Sequence, residues 1–149
     1  MRTLGAHLII ALLAFLMIDV SAVKPTHALE GIPTASPSAP RHFFEFYPKG
    51  SSEPSVVGYL ATGKKSPYIN FPVYRKDSSA PSGFLDPGKI LSITLGETIS
   101  PRPAEIVLRG STKPMNVYLR EGFLVSDDGL SLPLWNMDEG TLKRKAAVK

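Results

Sequence analysis

Cysteine is absent from the 149 residues of this chain. That excludes a disulfide framework, a thiolate metal site and a cysteine nucleophile. Histidine is scarce, with three in all, and beyond residue 28 only His42 remains. A structural zinc site draws on several Cys or His ligands, so none is expected. The chain also lacks a Gly-x-Ser-x-Gly elbow, a phosphate-binding glycine loop and a dinucleotide fingerprint. Asn70, Asn116 and Asn136 all fail the third position of the N-glycosylation sequon. No window between His42 and Trp135 carries the 3.6-residue apolar period of a helix. These absences leave no catalytic residue, no cofactor and no metal to be expected.

What is present begins with an address. Arg2 precedes an unbroken apolar run of 11 residues, Leu8 to Ile18, and Val20-Ser21-Ala22 follows as a small-residue cleavage site. Thr26-His27-Ala28 offers a second. The run is too short for a spanning helix, which needs about 20 apolar residues. Residues 1–22 are therefore read as a signal peptide, with cleavage as late as residue 28, and the mature protein as secreted. Residues 23–41 hold Pro25, Pro33, Pro37 and Pro40 among small polar residues without periodicity. They read as a mobile Pro/Ser-rich linker.

From His42 onward short apolar runs recur between Gly, Pro, Ser and Asp. They are Phe43–Tyr47, Val56–Ala61, Tyr68–Tyr74, Ile90–Leu95, Glu105–Arg109, Met115–Arg120, Phe123–Ser126 and Leu130–Trp135. Several alternate with period 2: Ile69, Phe71, Val73; then Leu91, Ile93, Leu95; then Met115, Val117, Leu119. Such alternation marks strands with one buried face. The expectation is an all-β fold, a single antiparallel β-sandwich of about 7–8 strands over residues 42–136, with a small β-barrel as the alternative.

The sequence Val125-Ser126-Asp127-Asp128-Gly129-Leu130 is a hairpin signal. With Asp128-Gly129 as a two-residue turn, Val125 would face Leu132 and Phe123 would face Leu134, all on one face, with Pro133 opposite Leu124. Proline cannot donate to a ladder, so Pro133 and Pro72 both mark edge strands, which favours the open sandwich.

Lys and Arg total 17 against 13 Asp and Glu, a net charge of +4. The tail Thr141–Lys149 holds four of the cations, Lys143, Arg144, Lys145 and Lys149, and no acid. Residues 137–149 are thus expected to form a solvated basic tail, and the domain itself to present no nucleic-acid-binding face. Among the acids, Glu97, Glu105, Glu121, Asp127 and Asp128 are those that a carboxylate-type hydrolase would have to bring together.

Two features suit binding. Tyr59, Tyr74, Tyr118 and Trp135 fall on positions expected to face outward, where rigid rings can stack on sugars or anchor a protein. Leu130, Leu132 and Leu134 form an L-x-L-x-L run on the proposed edge strand. The run resembles a short motif that recruits transcriptional corepressors in plant nuclei, and an edge strand can pair with a partner's strand.

Signal peptide, Pro/Ser-rich spacer, one domain and no catalytic signature together resemble the small secreted effectors of plant-colonising fungi. A bacterial periplasmic β-domain shares the same layout. The resemblance implies a non-enzymatic protein that binds a host protein, with translocation into host cells as one destination. The second class of function is a carbohydrate- or cell-wall-binding module. No membrane association is expected once the leader is removed.

Overall fold

Ten strands appear in a computed structural model that describes residues 34–146. They are β1 (Phe43–Pro48), β2 (Val56–Ala61), β3 (Phe71–Val73), β4 (Gly83–Leu85), β5 (Ile90–Leu95), β6 (Arg102–Leu108), β7 (Met115–Leu119), β8 (Phe123–Ser126), β9 (Ser131–Pro133) and β10 (Gly140–Arg144). Single 3₁₀ turns occupy Pro87–Lys89 and Leu134–Asn136. The leader expected at 1–22, the first part of the linker and Lys149 lie outside the described residues.

The architecture is all-β. Eight strands form one curled antiparallel sheet in the order β7-β6-β5-β10-β1-β2-β8-β9, and β3 pairs with β4 in a small second sheet. Both sheets feed one core. Phe44, Phe46, Ile93, Ile106, Leu124 and Leu142 from the large sheet meet Phe71 and Val73 from the small one. At one end β3 is tied to β7 by reciprocal Tyr74–Tyr118 backbone bonds of 2.9 Å each. At the other, Pro67 bridges Ala61 of β2. The small sheet thus spans the open side of the curl. Pro133 lies in the outermost strand β9 and Pro72 in the two-stranded sheet, as proline's missing donor requires.

The basic tail is not a tail. Gly140–Arg144 forms β10, a central strand between β5 and β1, with Leu142 opposite both Ile93 and Phe46. One inward leucine, fully buried, suffices to seat a short strand flanked on both sides, while Lys143 extends outward over the Tyr47 ring at 4.8 Å. Arg144 is half-buried, with the Phe44 ring 5.0 Å from its guanidinium. The domain therefore extends beyond the expected limits of 42–136 at both ends. In the expected linker, Ala35 pairs with Tyr68, and Ser36 N–H donates to Pro67 at 3.1 Å.

The hairpin register also differs from the sequence expectation by one residue. Leu124 faces Leu132, and Phe123 faces Pro133. Ser126 N–H donates to Leu130 at 2.9 Å, which leaves Asp127, Asp128 and Gly129 as a three-residue loop, with Gly129 at φ +85°. The Asp128 carboxylate accepts from Ser126 Oγ and from Leu130 N–H, a local cap that favours the longer loop. Because side chains alternate, a one-residue slip exchanges faces. Leu124, Leu132 and Leu134 belong to the main core, whereas Val125 and Phe123 join Tyr59, Ala61 and Phe43 in a second cluster.

A similar local irregularity changes β5. A register shift between Ile90 and Ser92 turns both Ile90 and Ile93 inward and leaves Leu91 exposed. The expected Leu91–Ile93–Leu95 face is therefore Ile90–Ile93–Leu95.

Candidate binding site

A groove of about 740 Å³ opens at one end of the curled sheet, between β1–β2, the β8–β9 loop and the segment after the second 3₁₀ turn. Its floor is the exposed end of the core: Phe46, Met137, Val56 and Leu132. Leu130 stands on its lip, 56% exposed. Asp127, Asp128, Asp138 and Asn136 are among its polar lining. A largely apolar cleft of this size with a few polar groups is the usual form of a ligand site.

One wall is held by an interior arginine. Arg102 on β6 is fully buried. Its Nε and Nη2 donate to the Gly96 carbonyl at 3.1 and 2.8 Å, and its Nη1 donates to the carbonyls of Leu134 and Met137. Burial lowers its ionisation below the ordinary arginine value, partly offset by the charges of Glu139 and Asp138. A planar fork of five donors can serve three carbonyls at once, and no other side chain can. It fixes the chain at Leu134–Met137, and with it the groove wall carrying Met137 and Asp138. Arg102 has the same strand parity as the buried Ala104 and Ile106. That parity is the sequence signal by which it could have been found.

The expected outward aromatics are mostly interior. Tyr59 is 6% exposed, its hydroxyl donating to the Lys65 carbonyl at 3.0 Å and its ring edge-on to Phe43 at 5.9 Å. Arg41 covers that ring at 4.8 Å. Tyr74 is 4% exposed and donates to Glu121 Oε2 at 2.6 Å, while Tyr68 donates to Oε1 at 3.2 Å. Burial first, then this hydrogen bond and the Glu121 charge, push the Tyr74 phenol up to about 12. The same causes raise Tyr68 further. Tyr118 is half-buried, and Trp135 is the one ring of the four that stays exposed, packed edge-on against Phe123 at 5.1 Å. These four rings form no outward row.

The L-x-L-x-L run is divided. Leu130 and Leu132 line the groove, while Leu134 is buried in the core, because the 3₁₀ turn ends β9 at Pro133. Of the basic residues, Lys143 and Lys145 are exposed, but Arg144 reaches inward. It donates to the carbonyls of Pro87 and Ile90, and its Nη1 lies 3.0 Å from His42 Nδ1.

Of the carboxylates Glu97, Glu105, Glu121, Asp127 and Asp128 named from sequence, Asp127 and Asp128 line the groove and the three glutamates do not. Glu121 and Asp127 flank β8 at opposite ends, roughly 20 Å apart at ~3.3 Å per residue, and Glu105 lies on β6 toward the other sheet edge. Asp127 and Asp128 are joined instead by Asp138, which sequence reasoning did not single out. Among the described residues, no group of three or more His, Cys, Asp or Glu is placed to hold a metal ion. Comparison with protein-family models, curated proteins and solved structures finds no match for this chain.

Proposed function

We propose that this chain is an exported, host-directed effector that acts by binding a protein partner, without catalysis of its own. Export rests on the apolar run Leu8–Ile18 and the cleavage sites that follow it. The observation that carries the binding reading is the apolar groove beside edge strand β9. Leu130 and Leu132 offer anchoring surface there, and an edge strand can accept a partner's main chain. The carbohydrate-binding alternative called for several outward rings, and the burial of Tyr59 and Tyr74 weighs against it.

The test is retention of proteins on immobilised wild type and on Leu130→Glu. A partner held by the wild type and lost by the variant, with both blank on a glycan array, supports the reading. Sugar retention abolished by Trp135→Ala would overturn it. So would turnover of a polysaccharide or peptide that disappears on replacing Asp127 or Asp138.

A further inference from the structure

We infer that the groove beside β9 takes a short basic segment of the partner, an extended peptide in which a leucine- or phenylalanine-sized side chain is flanked by lysine or arginine. The inference rests on the protein-binding reading and names the chemistry of the occupant.

The floor and the rim of the groove ask for different things. Phe46 and Met137 are core residues whose outer ends form the floor, with Val56 and Leu132 beside them. An apolar side chain placed there removes that surface from water. The rim carries three carboxylates, Asp127, Asp128 and Asp138, all exposed. Among the described residues none of the three forms an ion pair with Lys or Arg; the one surface pair close by joins Lys49 to Glu139 at 3.6 Å. Among these residues the three carboxylates are unpaired, although Lys65 Nζ stands beside Gly129 and Arg41, Arg144 and Lys145 share a depression with Asp127. A cation on the ligand is the complement of the unpaired groups.

The main chain of β9 supplies the direction. Leu130 accepts from Ser126 N–H, Leu132 faces Leu124, and Leu134 N–H donates to Gly122 at 3.0 Å. Alternation then turns the N–H and C=O of Ser131 and the C=O of Pro133 away from β8, where an extended segment can bond to them. Pro133 lacks an N–H, so the edge offers little to a long flat strand and suits a short one.

A limit on the charge of the ligand also follows. Asp127 borders a second depression lined by Arg41, Arg144 and Lys145. A long polybasic chain would run from the acidic rim into this basic patch. The ligand is therefore basic over a few residues only.

The experiment is isothermal titration of the full chain with blocked hexapeptides. The probe has two lysines flanking one leucine; one control replaces the lysines by glutamate, and another replaces the leucine by serine. The probe is expected to bind, with each control at least about tenfold weaker, and binding should weaken as salt rises from about 0.05 to 0.5 M. Asp127→Asn combined with Asp138→Asn should cost roughly three- to tenfold for the probe, as a few exposed charge pairs would. Equal binding of the glutamate peptide, no binding of the probe, or indifference to the double variant would overturn the inference. So would a concentration-dependent dimer lost in the double variant, which would assign the groove to a second copy. A partner whose retention depends on Leu130 but not on these aspartates would leave the protein-binding reading standing and sink the charge preference alone.

Discussion

Arg144 Nη1 lies 3.0 Å from His42 Nδ1, joining the end of β10 to the residue before β1. Arginine can only donate, so His42 accepts at Nδ1 and carries its proton on Nε2. The pair closes a network in which Arg144 also holds the carbonyls of Pro87 and Ile90. Protonating His42 would remove the acceptor and set two cations against each other.

This gives a pH dependence of defined sign. Burial, then the charge of Arg144 and that of Arg109, lower the folded-state ionisation of His42 below 6.5, with Asp86 opposing. In this window the unfolded chain binds more protons than the folded one, so stability rises with pH. The contribution is complete above about 6.5 and is lost as pH falls from there through the folded value. Urea midpoints at pH 7.5 and pH 5 should therefore drop less for His42→Gln than for the wild type. Parallel losses in the two proteins would rule the His42–Arg144 contact out as the cause.

Replacing Arg102 should be among the most damaging single changes. Arg102→Met leaves the carbonyls of Gly96, Leu134 and Met137 without their donor in the interior. Each buried group so orphaned costs about 1–3 kcal/mol, so a loss of at least about 3 kcal/mol is expected in chemical denaturation. Arg102→Lys should not restore it, because an ammonium cannot span the three acceptors. A loss under about 1 kcal/mol would show that the Leu134–Met137 wall holds without the guanidinium.

The C-terminal strand makes a prediction opposite to that of a solvated tail. A Cβ on Gly140 would stand 2.4 Å from the Tyr47 carbonyl oxygen and 2.8 Å from the Phe46 ring. Gly140→Ala should destabilise by roughly 1–3 kcal/mol through overpacking. Removing Lys143–Lys149 should destabilise as well, since it deletes Arg144 and its bonds to Ile90. Lys143→Ala, at an exposed position, should stay within about 0.5 kcal/mol of wild type. Melting curves for the three variants separate the strand from the tail: a truncation as stable as the wild type would mean that the Lys143–Arg144 end of β10 contributes nothing.

Glu121 should control the titration of Tyr74. With the phenol raised to about 12, the folded state keeps its proton where the unfolded chain has begun to lose it near 10. The stabilisation is complete below pH 10 and is lost as pH rises through about 12. In Glu121→Gln the negative charge is gone, so the ultraviolet ionisation step of the buried tyrosines should begin at lower pH. An unchanged titration curve would mean that burial alone holds the proton.

Much of the fold was legible because period-2 alternation records burial directly. Val56–Ala61, Ile90–Leu95 and Phe123–Ser126 have the boundaries that their apolar runs imply. Pro72 and Pro133 lie in edge positions because a missing N–H is a property of the residue itself. The candidate site was less legible. Leu130 and Leu132 stand in an alternating run, but the groove also needs Phe46, Val56, Met137 and Asp138, which come from three separate stretches of chain.

What the amino-acid order determined by itself was local: where strands alternate, where prolines forbid a ladder, and the absence of any thiol. Tertiary structure alone decided that a stretch with one leucine among charges becomes a central strand. The stabilisation of Leu142 comes from Ile93 and Phe46, residues far away in sequence, and no local pattern can carry it. The same holds for Tyr59, Tyr74 and Arg102. Each is polar at one end, and whether it faces water or the interior depends on an acceptor elsewhere in the chain, here Lys65, Glu121 and the carbonyls of Gly96, Leu134 and Met137.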